Sequence, residues 1–239
     1  MRNKGRDLAK HILYIVMSLM VAIIGGTILM LVVYRLPIQT IRQNVRNSIP
    51  VYETEKEGYY WAPWLSSTHL DNYTDTLMLN TAAFLGTGSI KNDAMMNAWV
   101  QYEGSTQSEC LIQSVTNDTL EGASVINYAR YWHGYLVCLK PLLLFCTMSD
   151  IRVLGMCFQL IMLLLVILEL YKKDGYRLAL PFAFAVLSIN PISTALCMQY
   201  ASVYNITLIA VYIMLKAKLY ESKKYWHLFL WLLFCCRKI

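Results

Sequence analysis

Long apolar runs alternate with short basic clusters along this chain, and one broad polar region interrupts the alternation. The first run, Ile12 to Tyr34, has no charged side chain and lies between Lys10 and Arg35. About 20 residues cross the hydrocarbon core, so the run is long enough to span. Further runs cover Trp132 to Met148, Ile151 to Tyr171, Leu178 to Leu196 and Cys197 to Leu215, and another begins at Tyr225. The pattern predicts an all-α polytopic membrane protein with about four to five transmembrane helices. The basic leader, residues 1–11, precedes an uncleaved anchor over 12–34. A signal peptide is the alternative, but no small-residue cleavage site follows the run, where "LVVYRLP" stands instead.

The separators set the expected topology. "KKDGYR" (172–177) and "KAKLYESKK" (216–224) are basic, whereas "SINPIST" (188–194) is neutral. The positive-inside rule places the leader and both basic separators in the cytoplasm. Residues 35–131 then form a large extracytoplasmic loop, and 151–239 supply transmembrane hairpins, with "FLWLLFCCRKI" ending after only a short apolar run. By parity, residues 132–150 do not cross. Gly134, Lys140 and Pro141 fit a broken interfacial helix, with Tyr131, Trp132 and Tyr135 at headgroup level and Lys140 snorkelling. A short tilted spanning helix is the alternative.

Within the loop, "TDTLMLNTAAFLG" (74–86) reads as a short helix capped by Thr74 or Asp75 and stopped by Gly86. "DAMMNAWVQYEG" (93–104) and "LEGASVINYARYW" (120–132) read as two more. Few apolar residues remain for a separate core, so short helices on the outer leaflet are expected. Polar Gln159, Asn190 and Asn205 are expected to bridge helices, and Glu169 to pair with Lys172 or Lys173.

Composition sharpens this picture. Hydrophobic residues make up 57% of the chain and charged ones 15%, against about 25% charge in ordinary soluble domains. Net charge is +6 overall, yet residues 36–150 carry six basic and eleven acidic side chains. The basicity is therefore a topology signal and gives no reason to invoke nucleic acid. The seven cysteines form no disulfide framework or metal spacing. No Walker loop, GxSxG elbow or dinucleotide fingerprint is present. Two sequons begin at Asn72 and Asn117.

The order of a first helix, an acidic loop, an interfacial segment and tightly connected helices resembles the C-type (GT-C fold) integral membrane glycosyltransferases, over their amino-terminal part. In "DTLMLNTAAF", Asp75 matches the Asp that heads a short loop helix in that family, although Thr76 replaces the usual Glu. In "HGYLVCLKPLLLFCTMSDIRVL", His133, Tyr135, Leu136, Asp150 and Arg152 follow the family's order, with Gly134 where a Pro is usual. The resemblance implies transfer of a sugar from a polyprenyl-phosphate donor to an extracytoplasmic glycan, lipid or protein in the bacterial cytoplasmic membrane.

Asp75, or its rival Asp71, would then be the base for the acceptor hydroxyl. Arg130, His133, Lys140 and Arg152 would hold the donor phosphate, with or without a divalent cation. Each has a plainer reading: Asp75 as a helix cap, Asp71 as a solvated acid, His133 as an interfacial polar group, Lys140 and Arg152 as headgroup anchors. A non-catalytic scaffold or subunit bound to a membrane partner protein is the other reading, with "GYYWAPWL" (58–65) as a docking surface or a headgroup contact. A transporter or flippase fits less well, since the spans carry charges only near their ends.

Overall fold

A computed structural model describes residues 2–117 and 119–218, the side chains of 2–9 and 11 excepted. The run from Tyr225 lies outside the described residues. The described chain is mostly helical, and among the described residues three helices are long and apolar enough to cross a membrane. The first, α1 (Arg2–Val33), contains the apolar stretch Ile12–Val33, whose side chains point almost all outward. Outward apolar side chains on so long a helix are what a lipid surroundings satisfies.

The polar region follows. Pro37 ends the turn after α1, and α2 (Ile38–Arg46) and α3 (Ile49–Glu55) come next. Strands β1 (Gly58–Tyr60) and β2 (His69–Asp71) pair antiparallel, Gly58 opposite Asp71. Helix α4 (Asn72–Ala82) starts where the Asp71 carboxylate accepts from the Thr74 N–H at 3.2 Å and the Thr74 hydroxyl at 2.7 Å. The N-cap is thus Asp71 and not Thr74 or Asp75, because the short Asp side chain reaches its own first turn. Asp75 lies in that first turn, four residues after the cap.

Two of the expected loop helices take other forms. α5 (Ile90–Met96) ends at Asn97, which adopts a left-handed conformation at φ 46°, and β3 (Trp99–Tyr102) follows. The second half of the 93–104 segment is "WVQY", a β-favouring run that overrides the helical reading. After α6 (Gln107–Thr116), which starts with a Thr106–Glu109 capping box, β4 (Ala123–Ile126) occupies the 120–132 segment. It pairs with β3, Trp99 opposite Ile126. Two small antiparallel sheets therefore join a helical framework.

The polar region also has a core, contrary to the expectation of helices merely lying on a leaflet. Ile41, Val45, Tyr52, Leu79, Leu111 and Val115 are fully enclosed, together with Leu136 of the next helix, α7 (Leu136–Leu142), and Leu143, which caps its end. The segment 132–150 supplies part of this core. With seven residues α7 rises about 10 Å, a third of what crossing needs. Lys140 does not reach headgroups: its ammonium is buried, donates to Ala82 O at 2.8 Å and lies 4.4 Å from the Tyr34 ring centroid. It closes the C-terminal end of α4, where free carbonyls attract a cation. Buried Arg42 does the same from α2, donating to Ala83 O, Ser114 O and Asn117 O.

The remaining helices form the second apolar layer. α8 (Met148–Asp174) opens with a Thr147–Asp150 capping box and packs against α9 (Tyr176–Ser188) and α11 (Met198–Lys216), with α10 (Pro191–Leu196) between the last two. The 178–196 run is therefore broken at Asn190-Pro191, and α9 has 13 residues. Gln159 of α8 donates to Pro191 O at 2.6 Å, bridging helices. At the far end Glu169 accepts from Lys172 at 3.0 Å and Lys216 at 3.4 Å.

Leu79→Ala should cost about 3 kcal/mol in the polar region, since Leu79 is fully enclosed in a layer that cannot collapse onto the void. Limited proteolysis of the 35–131 segment in detergent, wild type against variant, measures it; equal cleavage rates would contradict a packed core there.

Candidate functional site

Two arrangements bring candidate residues together. The first is a buried polar junction between the polar region and the membrane helices. Arg152, in the first turns of α8, donates through Nη1 to both oxygens of Glu55 at 2.9 and 3.0 Å. Its Nη2 donates to Asn72 Oδ1 at 3.0 Å, and Asn72 Nδ2 donates back to Glu55 at 3.0 Å. The guanidinium carbon lies 5.8 Å from the Tyr52 ring centroid. Arg152 is thus neutralised inside the protein, which leaves it poorly placed for a donor phosphate. Asn72, fully buried in this network, is equally withdrawn from glycosylation.

Beside this network stands Asp75, fully buried. Its carboxylate accepts from the Met198 N–H at 3.0 and 3.2 Å, which makes it a cap for the first turn of α11, supplied from α4. Desolvation pushes its pKa up, while the Met198 N–H and the Arg152 charge pull it back; the balance is about 7. Asp71 is half-buried and spends its carboxylate on Thr74, while its N–H points to Cys197 Sγ at 3.3 Å. Both candidate acids are therefore helix caps. Asp150 and Arg152, paired by the sequence order, serve apart: Asp150 holds Thr147 at the surface, and Arg152 turns inward.

The second arrangement is a cleft. One part, about 670 Å³, is lined by Thr74, Tyr128, Arg130, His133 and Gln199. The other, about 540 Å³, runs between α7, α8 and α11 past Leu142, Ile151, Leu154, Phe158 and Ile206. Met78, Trp132, Tyr135 and Ser202 line both, so the two parts adjoin, and the first has the larger polar share of its lining. Volumes of this size suit a small molecule or one end of a lipid.

His133 forms the floor of the polar part. Its Nε2–H donates to Tyr128 O at 2.7 Å and its Nδ1 accepts from the Tyr135 hydroxyl at 3.2 Å. Burial pushes its pKa below the usual value, so the ring is neutral at pH 7 and both nitrogens are committed. Lys140 is likewise committed, and burial lowers its pKa to about 8 against the pull of Asp93. Of the four phosphate-binding candidates, Arg130 alone is exposed along the cleft, with its guanidinium 5.5 Å from the Tyr131 ring centroid.

Glu55, Asn72 and Tyr52 escaped the sequence reading. An Arg within the first turns of an apolar helix calls for a buried acid, but three acids stand in "YETEKEG" and nothing local singles out Glu55. Among the described residues no three His, Cys, Asp or Glu side chains converge to hold a metal ion. No protein-family model matches the chain, and neither curated proteins nor solved structures give a match.

Asp75 predicts a pH dependence. Its folded pKa is raised from 3.8 to about 7, so the folded state holds the proton more tightly than the unfolded chain. The stabilisation from that proton is complete below 3.8 and declines as pH rises towards 7. Wild type should therefore lose stability relative to Asp75→Asn across this window and run parallel to it above. Thermal unfolding of both proteins at a series of pH values checks this; a constant difference would remove Asp75 as a buried titrating group.

Proposed function

We propose that this chain is an integral membrane protein that takes a long-chain anionic lipid into its cleft and, following its resemblance to C-type glycosyltransferases, transfers a sugar from a polyprenyl-phosphate donor. The observation that carries the lipid reading is the adjoining pair of cavities. Arg130 and the polar groups around it suit a phosphorylated head, and the groove between α8 and α11 suits an apolar chain. Lys172 and Lys216 at one end of α8 and α11 support a cytoplasmic location for that end, and hence an extracytoplasmic polar region, in a cytoplasmic membrane crossed four or five times.

In transfer, the acceptor hydroxyl oxygen attacks the anomeric carbon and the phosphate departs with the bonding electron pair. A carboxylate takes the hydroxyl proton, and Arg130 offsets charge on the leaving phosphate. Asp75 serves as that base only after releasing the first turn of α11, which makes opening part of the cycle. A second reading, a non-catalytic lipid-holding subunit, is favoured by the engagement of both acids as caps.

The test uses the protein in nanodiscs with radiolabelled polyprenyl-phosphate sugar and an acceptor extract. Saturable binding that weakens roughly fivefold in Arg130→Ala, as loss of about 1 kcal/mol of charge pairing implies, supports the cleft. Transfer abolished in Asp75→Asn supports the enzyme; binding without transfer supports the subunit. Binding no tighter than that of the uncharged polyprenol would overturn the anionic-lipid reading.

A further inference from the structure

The segment between β1 and β2 folds into a closed turn of its own. The Leu65 N–H donates to Ala62 O at 3.0 Å and the Thr68 N–H to Leu65 O at 3.0 Å. The buried Thr68 hydroxyl lies 2.7 Å from Ala62 O and 2.6 Å from Leu65 O, and accepts from the Ala62 N–H at 3.3 Å. Pro63 has no N–H to satisfy. The turn thus satisfies the Ala62 and Leu65 carbonyls and the Ala62, Leu65 and Thr68 N–H groups within itself, and at its tip it holds Trp64 86% exposed and Leu65 47% exposed. Showing a tryptophan to water from a prebuilt turn forfeits the burial of its large apolar surface.

The turn is tied to the membrane layer. Ser193 donates to Ser67 O at 2.8 Å and Asn190 to the same oxygen at 3.2 Å, and the Trp61 indole N–H donates to Ser193 at 3.1 Å. These partners belong to α10 and the break before it. α9 rises only about 20 Å, so a hydrocarbon layer of about 30 Å continues past its end, over Ile189 and Ile192. Both residues are exposed, and so is Leu187 on α9. The apolar tip is therefore fastened beside a stretch of α9 and α10 that faces lipid.

We propose that the 58–68 loop is a membrane wedge, with Trp64 and Leu65 inserted at the headgroup boundary beside α9 and α10. Such a wedge fixes the depth and tilt of the polar region against the bilayer. Its occupant is the lipid surface, because the tip is fastened beside the exposed Leu187, Ile189 and Ile192 of α9 and α10, and because an indole prefers the headgroup boundary, where water still serves the Trp64 backbone.

The chain holds six tryptophans, so the test is a difference measurement. Wild type and Trp64→Phe are compared in nanodiscs of ordinary lipid and of lipid brominated near the carbonyl end of its chains. Trp64 is exposed, and the variant keeps Thr68 and Ser193, so the fold is retained. The emission component lost in Trp64→Phe should be blue-shifted, quenched by the brominated lipid and insensitive to aqueous iodide. A component that iodide quenches and brominated lipid leaves untouched would overturn the wedge and mark the tip as a surface for a protein partner.

Discussion

Burial of charge where the polar region meets the membrane helices governs the rest of the structure. Arg152 enters the protein at the head of α8 and requires an anion there, since an unpaired guanidinium in a low-dielectric interior is costly. Glu55 from α3 and Asn72 from α4 meet that requirement. Asp75 applies the same logic to α11, placing negative charge at the positive end of a 19-residue helix. Neither contact need add much net stability, because desolvation consumes most of the attraction. What they fix is register: α8 and α11 can each sit at only one height and rotation against α4. Those two helices are walls of the cleft, so their anchoring by Glu55, Asn72, Asp75 and Arg152, of which only Arg152 reaches the apolar part, bears on its width.

The membrane layer was largely legible in the sequence, because uncharged runs of about 20 residues with basic ends have few other uses. α1, α8 and α11 fall where the runs do, Gln159 bridges helices as a polar group within a span is expected to, and Glu169 pairs with Lys172 at helical spacing. The polar region was less legible. Its core draws on Leu136, Leu139 and Leu143, which local reading assigns to an interfacial helix, so the count of residues available for a core came out too low. Likewise β4 is recognisable only once β3 is known, since "ASVI" has a strand's character only in pairing. Asp75 and Arg152 were candidates in the sequence for other roles, and the partners they have in the fold lie far away in sequence: Arg152 is 97 residues from Glu55 and 123 residues separate Asp75 from Met198. No spacing rule reaches that far.

Capping and catalysis compete for the same carboxylate in this fold. A cap works by staying ionised and still against N–H groups; a base works by reaching a proton and taking it. Enclosure raises the pKa of Asp75 towards neutrality, which suits proton transfer, while the Met198 N–H that lowers it again occupies the lone pairs a substrate would need. A chain using Asp75 as a base therefore has to spend energy on unseating α11, and α11 lines the cleft through Ser202 and Ile206. Helix position and proton affinity are in that sense one variable, whichever role the carboxylate plays.

Gly134 shows how packing accounts for a broken apolar segment. In sequence it reads as a helix breaker before α7. In the fold a Cβ there would come within 2.5 Å of the Trp132 ring, and one on Gly26 of α1 within 3.1 Å of the same ring. The two glycines hold the indole between α1 and the start of α7, with one face of its surroundings open to both parts of the cleft. α1 otherwise packs on α5 and α7. Trp132 thus joins the first helix to the wall of the cleft through one side chain, and segment 132–150 turns around that indole and then delivers Leu136, Leu139 and Leu143 to the core before α8 begins.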